Sequence, residues 1–432
     1  MSKKMDGLLK SIEPKLRIYR RDFHRHAEPG WGEYRTASIV ARRLTELGYT
    51  VKLGREVIDE KSRMALPSEE TMEQQYSRAL SEGAVIEYAE KMRGGFTGVV
   101  GEIANGDGPV IGFRFDLDAV EMEEKGDEEH VPYREGFFSI HREAMHSCGH
   151  DGHASIGLGV AEVLSALRAE LRGTIRLIFQ PAEEGVRGAR AMVEAGVVDD
   201  VDYMFGMHIG ARARSTGEFF CGTGGFLATS KFDAFFYGFP THAGFDPQEG
   251  KNALLSAATA VINLHAIPRH GGGGTRINVG KMSAGTGRNV IPAEAHLVIE
   301  TRGADSELNS YMKKYAEKII KSAAEMHGNT YSIIQMGEAE SADSDDELMA
   351  KVYTIAGAHS IFPKLRKEKA DLGGSEDFTH MMKRVKEKGG KAAYLMLGSE
   401  LKGNHHTARF DFDESILISG VKILSLIALE LS

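Results

Sequence analysis

The sequence predicts a two-domain α/β fold, in which a domain with a mixed or parallel sheet carries an inserted ferredoxin-like α+β domain. Short apolar strands, such as residues 109–115 and 174–179, alternate with helical segments, as in parallel sheets covered on both faces. Between two groups of such strands, residues 223–340 follow the order β-α-β-β-α-β, which is the ferredoxin-like pattern. We therefore expect the first domain at 1–222 and 341–432, with 223–340 inserted between its halves.

Length and composition limit the classes of protein to consider. A chain of 432 residues is too long for one ordinary hydrophobic core, which supports two domains. With 42% hydrophobic and 27% charged residues, the composition is that of a soluble globular enzyme. The net charge of −9, without a basic run, argues against a nucleic-acid surface. Cys148 and Cys221 are the only cysteines and cannot form a disulfide framework, so a reducing compartment, the cytoplasm, is expected.

The N-terminal part of the first domain contains both helices and strands. Helical periodicity covers residues 5–27 and 35–48, and short strands follow at 49–53 and 96–104. Residues 56–93 are polar and helix-prone, which indicates an insertion: a helical flap, a partner surface or a cover for a cleft. The histidines of the motif DFHRHAEPG could bind metal, but at a helix end beside an arginine they are more typical of capping or packing.

Side chains able to bind a metal follow four of the predicted strands. They are Asp116 and Asp118 after residues 109–115, Glu183 and Glu184 after 174–179, His208 after 203–207, and His405 and His406 after 392–397. In an open α/β sheet, ligands bind beyond the carboxyl ends of the strands, so we expect these groups to converge on a metal site. Each group alone has another explanation, and the aspartates could equally cap a turn. Because adjacent carboxylates point in different directions, one of the two glutamates can bind metal while the other acts as a general base.

The segment MHSCGHDGH, residues 145–153, has the densest set of potential ligands. Cys148 and His150 lie one residue apart, so in an extended turn both side chains would point the same way. Thiolate and imidazole together suit Zn²⁺, and neutral imidazole also suits Mn²⁺. A His-rich surface turn with a buried structural cysteine would explain this segment by itself. The acidic and histidine residues at the strand ends favour the metal site.

Nine ordered motifs cover nearly the whole chain and read DFHRHAEPGWGEYRTA, RFDLDAV, MHSCGHDGHAS, QPAEEG, MHIG, THAG, GRNVIP, GSEDF and HHTARFDFDE. Together they resemble the M20 metallopeptidase and amidohydrolase family, in particular its branch of aminoacylases, hippurate hydrolases and auxin-conjugate hydrolases. The resemblance implies a metallohydrolase domain with an inserted lid or dimerisation domain. It implies two divalent metal ions per subunit, Zn²⁺ or Mn²⁺, and a homodimer or a heteromer with a related subunit. The implied reaction is cleavage of the amide bond of an N-acyl or N-aroyl amino acid, with p-aminobenzoyl-glutamate or a related folate breakdown product as the expected substrate.

The resemblance also implies roles for single residues of the first domain. The metal ligands would be Cys148 as the bridge, His150 and His208 on one metal, and Glu184 and His406 on the other. Glu183 would be the general base and acid, and Asp118 would orient a ligand. The tail departs from the family's usual His-(Ser/Asn)-Pro, and the adjacent His405 therefore stays an alternative to His406.

In the inserted domain, the resemblance implies that His242 stabilises the oxyanion, supplied from the other subunit of a dimer. Asn289 and Arg302 match positions that hold the substrate carboxylate, and a hairpin between them could bring both near one pocket. Arg302 could instead form a surface salt bridge with Glu300 or Asp305.

Two other functions remain open at this stage. One is a broad aminoacylase or a dipeptidase of the same family. The other is a non-catalytic paralogous subunit that binds metal or scaffolds a partner. The latter would require loss of Glu183, a metal ligand or His242, and all of them are present.

Overall fold

The chain folds into two compact units within residues 2–432, the part that the computed structural model describes. Unit 1 comprises the residues up to Gly225 together with Asp343–Leu372 and Asp377–Ser432. Unit 2 comprises Phe226–Ala342 and the short segment Gly373–Glu376, which the domain bounds expected from the sequence place in the first domain. The lid or dimerisation role expected of the inserted domain stays a prediction.

Helices and strands lie close to the bounds expected from the sequence. The strands are β1 (Thr50–Leu53), β2 (Val99–Asn105), β3 (Val110–Asp116), β4 (Gly173–Gln180), β5 (Tyr203–Ile209), β6 (Glu218–Phe220), β7 (Thr223–Gly224), β8 (Ala228–Tyr237), β9 (Thr275–Ala284), β10 (Glu294–Gly303), β11 (Thr330–Ala339), β12 (Lys364–Arg366), β13 (Ala370–Asp371), β14 (Lys391–Leu397), β15 (Leu401–Lys402) and β16 (Asp411–Phe412). The α-helices are α1 (Ser2–Arg25), α2 (Tyr34–Glu46), α3 (Glu69–Ser81), α4 (Ile86–Ala89), α5 (Val131–Arg134), α6 (His150–Ala166), α7 (Ala189–Glu194), α8 (Ala253–His265), α9 (Ser306–Met326), α10 (Asp346–Ala358), α11 (Phe378–Glu387) and α12 (Ile416–Leu431).

Unit 1 is built on an eight-stranded mixed sheet in the order β1-β2-β4-β3-β5-β14-β6-β12. The central strands β4, β3, β5 and β14 are parallel, and nearly all of their residues are buried. Such strands must be apolar on both sides, which explains the continuous hydrophobic runs in the sequence. Their carboxyl ends, at Gln180, Asp116, Ile209 and Leu397, meet at one edge of the sheet. The predicted α/β class is confirmed.

Glycines let helix α6 pack tightly in the core of unit 1. A Cβ on Gly157 would lie 2.7 Å from the ring of Phe179 on β4, and one on Gly159 would lie 2.6 Å from Leu16 on α1. Interiors are packed too densely to absorb such contacts, so any larger residue would push α6 outward. The close packing fixes the N-terminus of α6, where His150 lies, against the sheet.

Unit 2 has a four-stranded antiparallel sheet, in the order β11-β8-β10-β9, and helices α8 and α9 pack on one face. On β8, Phe232, Ala234 and Phe236 are buried against these helices. The alternating residues Phe235 and Tyr237 point to the opposite face and are partly exposed, as the two-residue period of a strand requires. This is the ferredoxin-like arrangement that the sequence predicts.

Residues 56–93 are folded onto unit 1. Trp31 donates a hydrogen bond of 2.8 Å from its indole nitrogen to the carbonyl of Met64. The rings of Tyr34 and Tyr76 meet edge to face at 5.5 Å. Among the described residues, no helix has both the length and the apolarity to cross a membrane.

Candidate metal centre

The strand ends of unit 1 present acidic and histidine side chains at one edge of the sheet, as the sequence predicts. Asp116 is the last residue of β3, His208 lies near the end of β5, and Glu183 and Glu184 follow β4. Asp116, Glu183 and His208 are each less than a tenth exposed. The edge is therefore a buried site with several charged groups, which is where proteins place metals and catalytic residues.

Cys148 and His150 reach this edge through a turn at Gly149. Gly149 has a φ of 88°, a left-handed conformation that glycine adopts without strain. The turn lets His150 open helix α6 directly after Cys148. The extended turn expected for these residues is therefore wrong, because the helix already begins at His150. The side chains of Cys148 and His150 still lie together.

The predicted ligands form two groups that share Cys148. The sets whose ligand atoms all lie within 4.8 Å of one another include Cys148, His150 and His208, and Cys148, Glu184 and His406. The Sγ of Cys148 lies 3.4 Å from Nε2 of His208. Nε2 of His406 lies 3.3 Å from Oε1 of Glu184. The predicted base, Glu183, lies in the same cluster, with Oε2 at 3.8 Å from Nε2 of His150.

Backbone carbonyls orient the two buried imidazoles. Nδ1 of His150 donates to the carbonyl of Asp118 at 2.8 Å, and Nδ1 of His208 donates to the carbonyl of Ile209 at 2.8 Å. With the proton on Nδ1, the lone pair of each Nε2 is directed to the cluster, as in histidines that bind metals. His153 plays a supporting role: its Nε2 accepts from Ile209 N–H at 2.9 Å, so its Nδ1 donates to Asp116 at 2.6 Å.

The residues present fit a divalent metal. Nε2 of His150 and Oε1 of Glu184 are buried and make no hydrogen bond, which is unusual for buried polar atoms. Burial, reinforced by Glu184, raises the pKa of the Cys148 thiol well above its usual value. Burial lowers the pKa of His208 well below its usual value, so this imidazole is neutral. A cation would satisfy the orphaned atoms and offset the charge of a thiolate and two carboxylates. Sulfur, nitrogen and oxygen donors together suit Zn²⁺ or Mn²⁺.

Two buried carboxylates hold the turn that carries the glutamates. Asp118 accepts the backbone N–H of Glu183 at 3.0 Å and that of Glu184 at 2.8 Å, one with each oxygen. Glu33 accepts the N–H of Ala182 at 2.8 Å. Burial and the neighbouring Asp118 raise the pKa of Glu33 to about 8. Sequence reasoning did not find Glu33, although it lies in the motif EPGWGE, because its partner is a backbone group that leaves no residue pattern.

Asp377 is a second residue that sequence reasoning did not single out. Its carboxylate accepts from Nε2 of Gln180 at 2.8 Å and from the backbone N–H of Gly188 and Ala189 at 3.0 and 2.8 Å. It therefore ties the end of β4 to the start of α7, on the far side of the glutamate turn. The motif GSEDF contains Asp377, and this contact explains the aspartate in it.

The tail histidines have different surroundings. Nε2 of His405 donates to the carbonyl of Ile209 at 3.1 Å, and its ring lies 5.3 Å from that of His208. Burial lowers the pKa of His405 to about 4. His406 has a left-handed φ of 59°, its N–H donates to Ser147 at 2.9 Å, and its ring reaches Glu184. The geometry favours His406 as the ligand, whereas His405 is half-buried beside His208 and bonded to the carbonyl of Ile209.

The N-terminal histidines are not among the potential ligand groups of the described residues. Nδ1 of His24 lies 2.8 Å from Asp151 and its Nε2 lies 2.9 Å from Glu124. Arg20 pairs with the same Asp151 at 2.9 Å. The first helix is thereby bound through buried ion pairs to α6, which agrees with packing and not with metal binding.

In unit 2, His242 and Asn289 are neighbours. His242 forms an isolated bridge with Val290, and the N–H of Ala243 donates to the carbonyl of Asn289 at 3.0 Å. The His242 ring is exposed and stacks on Phe245 at 4.2 Å.

Arg302 lies elsewhere in unit 2. It pairs with Thr229 near the far end of β10, whereas Glu294, the first residue of that strand, pairs with Tyr237. At about 3.4 Å per residue, the eight steps from Glu294 to Arg302 span roughly 27 Å. The expectation that one hairpin brings Asn289 and Arg302 near the same pocket is therefore wrong within a single chain, because the strand between them is extended. Arg302 forms a salt bridge of 3.0 Å with Glu300, one of the two partners expected from the sequence.

Comparison with known proteins agrees with this geometry. The sequence matches peptidase family M20/M25/M40 over residues 112–430. The chain belongs to this family. It is a hydrolase, and the resemblance read from the nine motifs is confirmed.

Relatives match along nearly the whole chain. One of the subunits of p-aminobenzoyl-glutamate hydrolase from Escherichia coli K12 and the indole-3-acetyl-aspartic acid hydrolase of Enterobacter agglomerans are each 46% identical over 430 residues, which is 98% of both chains. Among solved structures, an aminobenzoyl-glutamate utilization protein from Klebsiella pneumoniae matches 99% of this chain and 98% of its own, with 42% identity and a TM-score of 0.86. A dinuclear metal-binding M20 peptidase from Bacillus subtilis, 24% identical over 98% of this chain and 99% of its own, has the same fold, with a TM-score of 0.66.

Proposed function

We propose that this chain hydrolyses the amide bond between an aromatic acyl group and an acidic amino acid, with p-aminobenzoyl-glutamate as the expected substrate. The observation that carries the proposal is the convergence of five potential metal ligands and Glu183 at one sheet edge. The printed names of the two 46% identical relatives supply the substrate class. Both names describe an amide of glutamate or aspartate with an aromatic acyl group.

Two divalent metal ions, Zn²⁺ or Mn²⁺, would be held by this cluster. His150 and His208 would bind one, Glu184 and His406 the other, and the Cys148 thiolate would bridge them. When bound, such ions supply Lewis-acid activation of water and of the amide carbonyl. The buried imidazoles keep their Nε2 atoms available for this purpose because backbone carbonyls accept their Nδ1 protons.

Glu183 would be the proton carrier. It would accept a proton from the attacking water and deliver it to the amine nitrogen that leaves. Asp118 supports this role because it holds the backbone of both glutamates, which keeps one carboxylate for the metal and the other for the proton.

Residues of unit 2 would complete the site. His242 would donate a hydrogen bond to the oxyanion of a neighbouring chain, and its exposure in the loop after β8 is compatible with such a role. Loss of an oxyanion donor typically lowers turnover by about 10²–10³-fold. Asn289 and Arg302 would hold the carboxylates of the amino acid. Since Asn289 precedes β10 and Arg302 lies near its far end, we propose that they serve different chains' sites or different carboxylates.

The assembly would be a homodimer or a heteromer with a related subunit. The relative from Escherichia coli is named as one subunit of its hydrolase, which supports a heteromer for that protein. The cytoplasm remains the expected compartment because both cysteines are free and buried.

A substrate panel tests the proposal. The purified chain, loaded with Mn²⁺ or Zn²⁺, should hydrolyse p-aminobenzoyl-glutamate or indole-3-acetyl-aspartate at least tenfold faster than N-acetyl-alanine or alanyl-alanine. Faster hydrolysis of the last two would instead identify a broad aminoacylase or a dipeptidase. No hydrolysis of any amide by metal-loaded protein would identify a non-catalytic subunit.

A further inference from the structure

A cavity of about 530 Å³ lies on the open face of the unit 2 sheet, on the side away from α8 and α9. Its size is within the range of roughly 300–1,000 Å³ that ligand pockets occupy. The strands β8 and β10 form its floor, and residues 283–286, Val290 and Ile291 form its walls. All of these residues belong to unit 2, so the cavity is complete within it.

The floor of the cavity is a row of nearly parallel rings. Phe235 and His296 face each other across β8 and β10, and their rings stack at 4.4 Å with an angle of 1° between them. Tyr237 continues the row at 6.5 Å from Phe235, tilted by 12°. Asp233 fixes the imidazole through a contact of 2.7 Å with Nε2 of His296. A flat aromatic floor of this kind suits another planar ring, because offset stacking adds to the burial of apolar surface.

The lining of the cavity contains one carboxylate and no lysine or arginine among the described residues, which disfavours an anionic occupant. Glu294 is that carboxylate. Asp233 contacts Nε2 of His296, and the hydroxyls of Tyr237, Ser283 and Thr286 can each accept a hydrogen bond. A glutamate or aspartate moiety is therefore a poor occupant, whereas an aromatic ring that carries an N–H donor fits. The amine of an aminobenzoyl group and the N–H of an indole are both donors of this type.

The position of the cavity links it to the acyl side of the scissile bond. Val290, in its wall, is the bridge partner of His242. Ile291 donates from its N–H to the carbonyl of Thr241 at 2.9 Å. In an aroyl amide the ring is bonded to the scissile carbonyl. His242 would stabilise the oxyanion that forms on this carbonyl during hydrolysis. The ring must therefore lie within a few ångströms of His242, where this cavity begins.

We propose that the cavity formed by Phe235, Tyr237, His296, Val290 and Ile291 binds the aromatic part of the acyl group and selects substrates by it. The inference rests on the proposed hydrolase function and adds the residues that set its acyl specificity. The amino-acid end of the substrate binds outside this cavity.

The test compares Tyr237→Ala and Phe235→Leu with a matched control, Tyr331→Ala. Tyr331 lies in the same sheet and is 38% exposed, close to the 42% of Tyr237, but it does not line the cavity. The measured quantity is the preference of metal-loaded enzyme for p-aminobenzoyl-glutamate over N-acetyl-glutamate, as a ratio of kcat/KM values. The two cavity variants should lower this ratio about tenfold, and Tyr331→Ala should leave it within twofold of wild type. An unchanged ratio in both cavity variants would overturn the inference while leaving the proposed function intact.

A binding measurement separates this inference from the hydrolase proposal. Isothermal titration of the metal-loaded protein with neutral 4-aminobenzamide requires no turnover. Wild type and Tyr331→Ala should bind it with the same affinity, and Tyr237→Ala should bind it at least several-fold more weakly. Equal binding by all three proteins would contradict the cavity assignment, whether or not the protein hydrolyses amides. Absence of hydrolysis together with weakened binding in Tyr237→Ala would refute only the proposed function.

Discussion

Asp118 accepts the backbone N–H of Glu184 at 2.8 Å, and with its second oxygen it accepts the N–H of Glu183 at 3.0 Å. The same residue accepts from Nδ1 of His150 through its backbone carbonyl. One buried aspartate therefore positions two potential metal ligands and the proposed base at once. This relationship explains why the family's acidic strand-end motif matters even though Asp118 is not itself in the groups that contain Cys148.

Replacing Asp118 with asparagine should weaken metal binding. Asparagine presents one acceptor and one N–H₂ group, so one of the two backbone N–H groups loses its partner. Supporting partners of metal ligands typically contribute about 10–100-fold in affinity, and we expect a loss of that size in equilibrium dialysis against Zn²⁺. Asp305→Asn is the matched control, because Asp305 caps α9 in unit 2 by accepting from Leu308 N–H. Equal affinities for wild type and Asp118→Asn would show that the turn holds its shape without this carboxylate.

A site shared between chains predicts complementation. His242→Ala and Glu183→Gln should each be inactive alone. If His242 acts on the neighbouring chain, a hybrid dimer has one intact site, and random mixing of the two variants should restore up to about a quarter of wild-type activity. The measurement is turnover after the two proteins are unfolded and refolded together, with each variant refolded alone as the control. Hybrid dimers that form, as judged by differently tagged chains, but stay inactive would place His242 in its own chain's site.

Arg302 either binds a substrate carboxylate or serves the fold through its salt bridge with Glu300, and substitutions can distinguish these two roles. If Arg302 holds a carboxylate, Arg302→Ala should lower kcat/KM by the equivalent of roughly 1–3 kcal/mol, the scale for a hydrogen bond to a charged group. The loss should nearly vanish with the α-carboxamide analogue of the substrate. Glu300→Gln is the control, because it removes the salt bridge but keeps the guanidinium. A similar loss with acid and carboxamide substrates would assign Arg302 to the fold.

His24 predicts a dependence of stability on pH. Its ring is fully buried between Glu124 and Asp151, near Arg20 and the ring of His146. Burial and Arg20 oppose its protonation, but the two carboxylates favour it more strongly and raise the pKa of His24 to about 9. The folded pKa exceeds the unfolded value of about 6.5, so the stabilisation is complete below pH 6.5 and is lost as the pH rises through 9.

Thermal unfolding at several pH values tests this prediction. The Tm difference between wild type and His24→Gln should be largest near pH 6 and should shrink by pH 10, reflecting a contribution on the order of 3 kcal/mol. His359→Gln is the control, because the contact of His359 with Glu430 lies at the surface, where such pairs contribute about 0–1 kcal/mol. A Tm difference for His24→Gln that is constant from pH 6 to 10 would mean that His24 is neutral in the folded protein.

The residues at the strand ends could be predicted from the sequence, but the contacts that hold these residues in place could not. Parallel strands are apolar runs, so the residues after them, such as Glu183 and His208, could be placed at one edge from pattern alone. Glu33 accepts a backbone N–H, and the contact of His24 with Asp151 joins residues 127 positions apart; neither leaves a local pattern. The extended turn expected for Cys148 and His150 is wrong because the composition of the motif does not reveal the left-handed conformation of Gly149.

The central claim is that Glu183 carries the proton and Glu184 binds metal, and one paired measurement tests it most directly. Metal content and turnover of p-aminobenzoyl-glutamate are measured on Glu183→Gln, Glu184→Gln and wild type, purified in parallel. Glu183→Gln should keep nearly full metal content while its turnover falls by about 10²–10⁴-fold, the contribution of a general acid and base. Glu184→Gln should lose metal. Wild-type turnover in Glu183→Gln, or full metal content in Glu184→Gln, would contradict the assignment.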